Sequence, residues 1–327
     1  MNTRTGSEIF LREDMNAHFE IILKEWARYL SSTASLSVID DKDKGWLSED
    51  ALRELLHEVN GAHNGSFEAS SFEEVFICQP SLPSYGFKSW DDFFTRRWQP
   101  GVRPVAFPDD GSVVVNPCES QPLLMKAEVA AKCGFSLKGT SYSLLDMLDN
   151  DSYAERFVGG SVYQGWLSLY NYHRWHTPVS GKVMKVLQLR GTYFAADPSQ
   201  GFKKLDPSTG RPSPDRQAPD ASQIFLSSIA TRTVLLIQAD DARLGMVGFV
   251  AIGMSEVSSC VPTVIAGQHV DKGQDIGSFH YGGSSYCLLF EPGVKLHLSP
   301  VVKAALEQPA EIGGRCIAIN SELGRLC

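Results

Sequence analysis

Val264-Ile-Ala-Gly-Gln-His-Val-Asp-Lys-Gly-Gln-Asp-Ile-Gly277 is the stretch on which the fold turns. Its valines and isoleucines stand in short runs that glycine interrupts every few residues, the texture of short strands joined by tight turns. Thr177-Pro-Val-Ser-Gly-Lys-Val183 reads the same way. Further out, β-branched and aromatic runs broken by glycine recur at residues 112–115, 165–172, 182–189, 224–237 and 246–254. Beyond about residue 110 the chain therefore reads as mainly antiparallel sheet, with one helix expected from about 143 to 156. Residues 196–221, rich in Pro, Ser and Asp, make a loop long enough for an active-site lid or a disordered insert.

The opening stretch resembles the V-x-x-G-x-x-V-x-K-G-x-x-I-G pattern of lipoyl and biotinyl carrier domains, which implies a barrel-sandwich of antiparallel strands. The hairpin-tip lysine that holds the prosthetic group in those carriers has no obvious counterpart here. The likeness consequently bears on fold and says little about function.

Upstream the texture is helical. Met15, Phe19, Ile22, Trp26 and Leu30 recur at helical spacing among charges of both signs, predicting an amphipathic helix over residues 7–31 that packs on the protein rather than on a membrane. Ser48 is placed to cap a helix bearing Leu52, Leu55, Leu56 and Val59, and residues 60–70 break it. Ser89-Trp-Asp-Asp92 fits a capping box at the start of another. Prolines at 104 and 108 mark a boundary, so we expect an α+β protein: a helical N-terminal region, 1–108, followed by a β domain, 109–327. Residues 40–51 have the look of a calcium loop, but Lys42 and Lys44 fall at ligand positions and Ala51 stands where a bidentate Glu belongs, which argues against calcium.

With 327 residues and a formal charge of −8, the chain can bury a sizeable core and shows no basic patch for nucleic acid. Cys78, Cys118, Cys133, Cys260, Cys287, Cys316 and Cys327 form no C-x-x-C pair, which fits reduced thiols in a cytoplasmic protein better than disulfides or zinc. The first residues lack an apolar signal core, and no uncharged apolar run reaches the length of a membrane span. Neither a signal peptide nor integral membrane association is expected.

Two stretches concentrate chemistry. In Tyr281-Gly-Gly-Ser-Ser285, Ser284 places a hydroxyl beside the carbonyl of Gly283, so the stretch is either a tight turn between strands or a self-processing site. Tyr172-His-Arg-Trp-His-Thr-Pro-Val-Ser-Gly181 holds His173 and His176 three apart. On a strand they need not face the same way, and the motif offers no third metal ligand, so a structural or catalytic pair is expected and no metal. His280, a lone histidine beside the glycines, reads as structural.

Together, YHRWHTPVSG and FHYGGSS resemble the phosphatidylserine decarboxylase family, whose members carry YHR-x-H-x-P and a C-terminal LGST or GGS(S/T) motif. The resemblance runs from about Lys138 to Phe290, and Trp90-Asp-Asp-Phe-Phe-Thr-Arg-Arg97 with Pro104 matches the segment preceding the family's catalytic domain. The helical start, Cys118-Glu-Ser120 and the GGSS form look most like the fungal branch that contains the L-tryptophan decarboxylase of psilocybin biosynthesis, whose N-terminal region is usually longer. The resemblance implies a pyruvoyl enzyme that cuts itself between 283 and 284 into chains 1–283 and 284–327. Ser284 is the implied nucleophile and becomes the pyruvoyl group. His176 matches the histidine that takes its proton, and His173 the one that returns a proton during decarboxylation. Gly282 could offer a backbone donor to the oxyanion. The family's orienting Asp lies in P-x-D-G; here the stretch is Asn116-Pro-Cys-Glu-Ser120, so Glu119, one methylene longer, is expected to orient His176. The substrate implied is a free aromatic L-amino acid, L-tryptophan giving tryptamine, with phosphatidylserine as the alternative. A serine hydrolase fits less well, because GGSS is not the G-x-S-x-G elbow. A non-catalytic carrier-like module would leave the paired motifs unexplained.

Overall fold

The computed structural model describes residues 4–62, 68–132, 141–197, 206–210, 220–255, 259–281, 284–307 and 316–327. Gly282, Gly283, Cys133 and most of the 196–221 loop lie outside them, as does the lid expected there. Helices fill the first hundred residues: Arg4–Leu11, Glu13–Leu30, Glu49–Gly61 and the short turns Phe72–Val75 and Trp90–Phe94. Both expected caps form, Ser48 Oγ accepting the Ala51 N–H at 3.3 Å and Ser89 Oγ that of Asp92 at 3.1 Å. The Asp92 carboxylate reaches back to the Lys88 N–H at 3.0 Å.

The long helix does pack on the β part, its Phe19 ring meeting Phe194 at 5.0 Å. Its buried stripe is the expected one only in part, with Leu30 buried and Met15 and Phe19 half-buried. Asn16, Leu23 and Leu30 are inside, while Ile22 and Trp26 stay 61% and 46% exposed. Periodicity gives the width of an apolar face but not its centre when Ile21, Ile22 and Leu23 are consecutive.

The named strands begin at Val113–Val115, and among the described residues all of their pairings with one another are antiparallel. The largest sheet runs from edge to edge as Gln121–Lys126, Ser161–Leu167, Ser284–Phe290, Met246–Gly253, Arg232–Ala239, Gly181–Leu189 and His269–Val270. A second sheet pairs Arg174–His176 with Asp275–His280 and that strand with Ser259–Pro262. A third joins Val113–Val115, Glu322–Leu326 and Leu296–Leu298. The protein is α+β as expected, and among the described residues no sheet closes into a barrel.

Four expected elements differ. The helix over 7–31 is divided at Arg12 into Arg4–Leu11 and Glu13–Leu30, and the run at 165–172 is strand only to Leu167, in a strand that starts at Ser161. The helix over 143–156 is split into Leu144–Met147 and a 3-10 turn, Ser152–Phe157, because Asp149 and Asn150 take left-handed φ values of 53° and 54°. The run at 224–237 opens with a helix, Gln223–Ile229, before its strand starts at Arg232. A short apolar run does not by itself distinguish helix from buried strand.

The large sheet is buried on both faces. Tyr163, Phe249, Tyr286, Leu288 and Phe290 enter one core, and Val162, Val250, Ile252, Cys287 and Leu289 the other. This explains why its strands read as continuous apolar runs. A third core around Phe72, Trp90 and Phe93 takes in Tyr172 and Ile319, tying the helical region to the histidine segment and to the C-terminal chain.

Candidate active site

Ser284 is the first residue of a central strand, in register with Leu167 on one side and Gly253 on the other. It is fully buried, and its Oγ has no hydrogen-bond partner among the described residues. Leaving a hydroxyl dry and unpaired costs about 1–3 kcal/mol, so such a group calls for an explanation. Residues two apart on a strand share a face, so Ser284 points the same way as Tyr286. The Tyr286 hydroxyl donates to Asn116 Oδ1 at 2.6 Å and meets Ser120 Oγ at 3.1 Å. The loop of residues 116–120 therefore lies on the side of the sheet that Ser284 faces.

That same loop holds the second histidine, for the His176 N–H donates to the Pro117 carbonyl at 2.8 Å. The His176 ring stands between two groups. Its Nε2 is 3.4 Å from the Tyr172 hydroxyl, and its Nδ1 is 3.1 Å from Asn320 Oδ1. Burial lowers its pKa below the ordinary histidine value, against the raising effects of Asp275 and of the Asn320 hydrogen bond. Burial likewise keeps the Tyr172 phenol protonated. His173 is wholly buried, its ring stacked on Phe94 at 4.0 Å and its Nδ1 2.9 Å from the Asn171 carbonyl. A carbonyl can only accept, so Nδ1 carries the proton there. Arg96 fixes the approach to this segment by donating to the Tyr170 carbonyl at 3.0 Å.

Glu119 is not beside His176. Its buried carboxylate receives Arg103 Nε at 3.1 and 3.2 Å and Nη2 at 2.5 Å, together with the Ile319 N–H at 2.7 Å. Arg103 also donates to the Val59 carbonyl at 2.8 Å and lies 4.8 Å over the Trp98 ring. The group on His176 Nδ1 is Asn320, whose Nδ2 donates to the Arg103 carbonyl at 3.0 Å. The 116–120 loop completes the link, since the Asn320 N–H donates to the Asn116 carbonyl at 2.9 Å. Sequence reasoning missed Asn320. The only local hint is a polar pair closing the apolar run Ile317-Ala-Ile-Asn-Ser321.

Just ahead of the glycines, Tyr281 holds a left-handed φ of 82°, a strained conformation for an aromatic residue. Its hydroxyl anchors on the N-terminal helical region, 2.9 Å from Ser31 Oγ and 3.3 Å from the Ala27 carbonyl. His280 is paired with Asp91 at 2.8 Å and Ser278 at 3.1 Å, in keeping with a structural place. A cleft of about 380 Å³ opens between the Glu13–Leu30 helix and the sheet, lined in part by Leu23, Tyr193 and Thr231. The Thr231 carbonyl accepts the N–H of Gly253, the register partner of Ser284, so this cleft opens two strands from Ser284. Among the described residues no cluster of His, Cys, Asp and Glu could hold a metal, and no helix is long and apolar enough to cross a membrane.

A family model described as phosphatidylserine decarboxylase matches residues 90–308, and a second of the same description matches residues 1–55. The chain is 39% identical to decarboxylase iboD of Amanita muscaria over 328 residues, 99% of this chain and 88% of that protein. It is 37% identical to the L-tryptophan decarboxylase of Psilocybe cubensis over 329 residues, 93% of this chain and 71% of the other. With phosphatidylserine decarboxylase proenzyme 3 of Schizosaccharomyces pombe it shares 30% identity over 223 residues, 68% of this chain and 21% of that one.

Proposed function

This chain belongs to the phosphatidylserine decarboxylase family, and on that premise we propose that it is a pyruvoyl-dependent decarboxylase of a free aromatic L-amino acid, L-tryptophan first. The observation that carries the reading is the dry, unpartnered Oγ of Ser284 at the start of a central strand, directly after two glycines. The likeness to L-tryptophan decarboxylase across 93% of the chain favours the amino acid over the lipid. Six described cysteines, all free, accord with a cytoplasmic enzyme.

Maturation begins when Ser284 Oγ gives its proton to His176 and attacks the Gly283 carbonyl carbon. The C–N bond to Ser284 breaks, the amine takes a proton back, and an ester joins the two residues. Elimination then releases Gly283 as a carboxylate, and water replaces the nitrogen of the remaining dehydroalanine, leaving a pyruvoyl group and ammonia. Neutral His176 suits the first transfer, and Gly282 could supply a backbone donor to the oxyanion. An orphaned serine hydroxyl within a sheet that excludes water fits this group. When formed, it supplies a ketone that captures the substrate amine and withdraws electrons as carbon dioxide leaves. His173, held by Phe94 and the Asn171 carbonyl, is the residue we assign to returning a proton to the substrate α-carbon.

The test is intact-mass analysis of the purified protein with turnover assays. Two fragments divided after Gly283 are expected, with Ser284→Ala uncut and His173→Ala cut but inactive. L-tryptophan should yield tryptamine and carbon dioxide. A single uncut wild-type species would refute the pyruvoyl reading, and turnover of phosphatidylserine vesicles alone would replace the amino acid with the lipid.

A further inference from the structure

We propose that Asn320, an amide rather than a carboxylate, is the positioning residue that sets the tautomer and direction of the His176 ring for self-cleavage, and that Glu119 serves by holding Asn320 in place. The proposal rests on His176 being the base described above. The donors and acceptors that link Arg103, Asn320 and His176 have one consistent arrangement.

The arrangement starts at the Arg103 carbonyl, which can only accept. The Asn320 side-chain atom 3.0 Å from it must therefore be the NH₂ group. This turns Oδ1 toward His176, and because an amide oxygen can only accept, the proton between them sits on His176 Nδ1, 3.1 Å away. Nε2 then carries the lone pair that a proton acceptor needs, facing the Tyr172 hydroxyl at 3.4 Å, which must turn aside for the lone pair to take another proton. In the acyl shift Nε2 takes the Ser284 proton and passes it to the departing amine, while Nδ1 keeps its own proton on Asn320 throughout. The shift converts hydroxyl and amide into ester and amine, with no net gain or loss of protons.

Glu119 fixes both ends of this arrangement. It grips Arg103, whose carbonyl sets the amide, and it accepts the N–H of Ile319, the neighbour of Asn320. Asn320 itself has a left-handed φ of 66°, which Asn tolerates better than most residues. The carboxylate paired with His176 in strand register, Asp275, is otherwise engaged, accepting Arg174 Nε at 2.6 Å, Arg97 at 3.3 Å and the Gly277 N–H at 3.3 Å. The groups facing the His176 ring are thus Asn320, Tyr172 and, through their charges, Asp275, Arg174 and Arg97.

The experiment is cell-free synthesis of the full chain with a pulse-chase of self-cleavage at several pH values. Asn320→Gly keeps the left-handed backbone and removes the amide, and it is expected to slow cleavage about 10²-fold or more. Asn320→Asp keeps an acceptor and adds a charge that favours the imidazolium. It should cleave, with the acid limb of its pH profile moved to higher pH than in wild type. A purely structural role would not move that limb. If wild type cleaves, His176→Ala does not, and Asn320→Gly keeps the wild-type rate, this proposal fails while the base assignment stands. An unmoved limb in Asn320→Asp overturns it too, even where Asn320→Gly has lost its thermal transition. If His176→Ala cleaves normally, the base assignment beneath it falls.

Discussion

A histidine that must take a proton from serine has to be neutral at that moment. Burial depresses the His176 pKa, so its base form persists to lower pH than that of an exposed histidine. The midpoint of the acid fall in the wild-type cleavage rate should therefore lie below the ordinary histidine value of about 6.5. A rate already halved at pH 7 would contradict this. At this scale the sequence exposes the residues that sit in motifs: Ser284 beside its glycines, and His173 and His176 around an arginine and a tryptophan. Asn320 is invisible there because its contact with His176 spans 144 positions and depends on which way an amide faces. Glu119 shows the opposite case. Its position in the Asn116–Ser120 stretch draws attention to it, but nothing in the sequence tells that its carboxylate accepts from Arg103 and the Ile319 N–H.

Among the elements, the 116–120 loop does most to assemble the site, since it bonds to Tyr286, His176 and Asn320 from three separate segments. The Arg103–Glu119 pair pins it to the C-terminal segment, with both side chains only 2% exposed. Removing one member of a buried pair strands the other charge and typically costs 3–5 kcal/mol. On an uncut Ser284→Ala background, Glu119→Ala should lose about 3–5 kcal/mol in urea unfolding. An unchanged midpoint would show that the pair is not structural. Element types were legible wherever pattern and length agreed, as in the capped helices and the valine-rich strands. They were not legible at 223–229, where Ile224-Phe-Leu226 suits either state and packing decides. Nor were the left-handed residues at 149 and 150 that divide the expected helix.

For the whole molecule, the texture change near residue 110 marks where the named strands begin, but the third core crosses it through Tyr172 and Ile319. Side chains that meet across such distances in sequence leave no periodic trace. The Ser284–Phe290 strand lies inside the large sheet, flanked by Ser161–Leu167 and Met246–Gly253 along its whole length. The proposed scission before Ser284 would therefore leave the short chain threaded between two strands of the long one, and the product should stay assembled although no covalent bond would join its halves. Its route back from denaturant is nonetheless changed. The uncut Ser284→Ala chain should refold at a rate independent of dilution, whereas the cut protein must first bring two molecules together and should recover more slowly as it is diluted. Equal, dilution-independent recovery of both would show that the halves had never come apart. Maturation by the proposed cut would make folding a one-time event: the precursor could search for its structure alone, and the finished enzyme, once unravelled, would depend on meeting its other half.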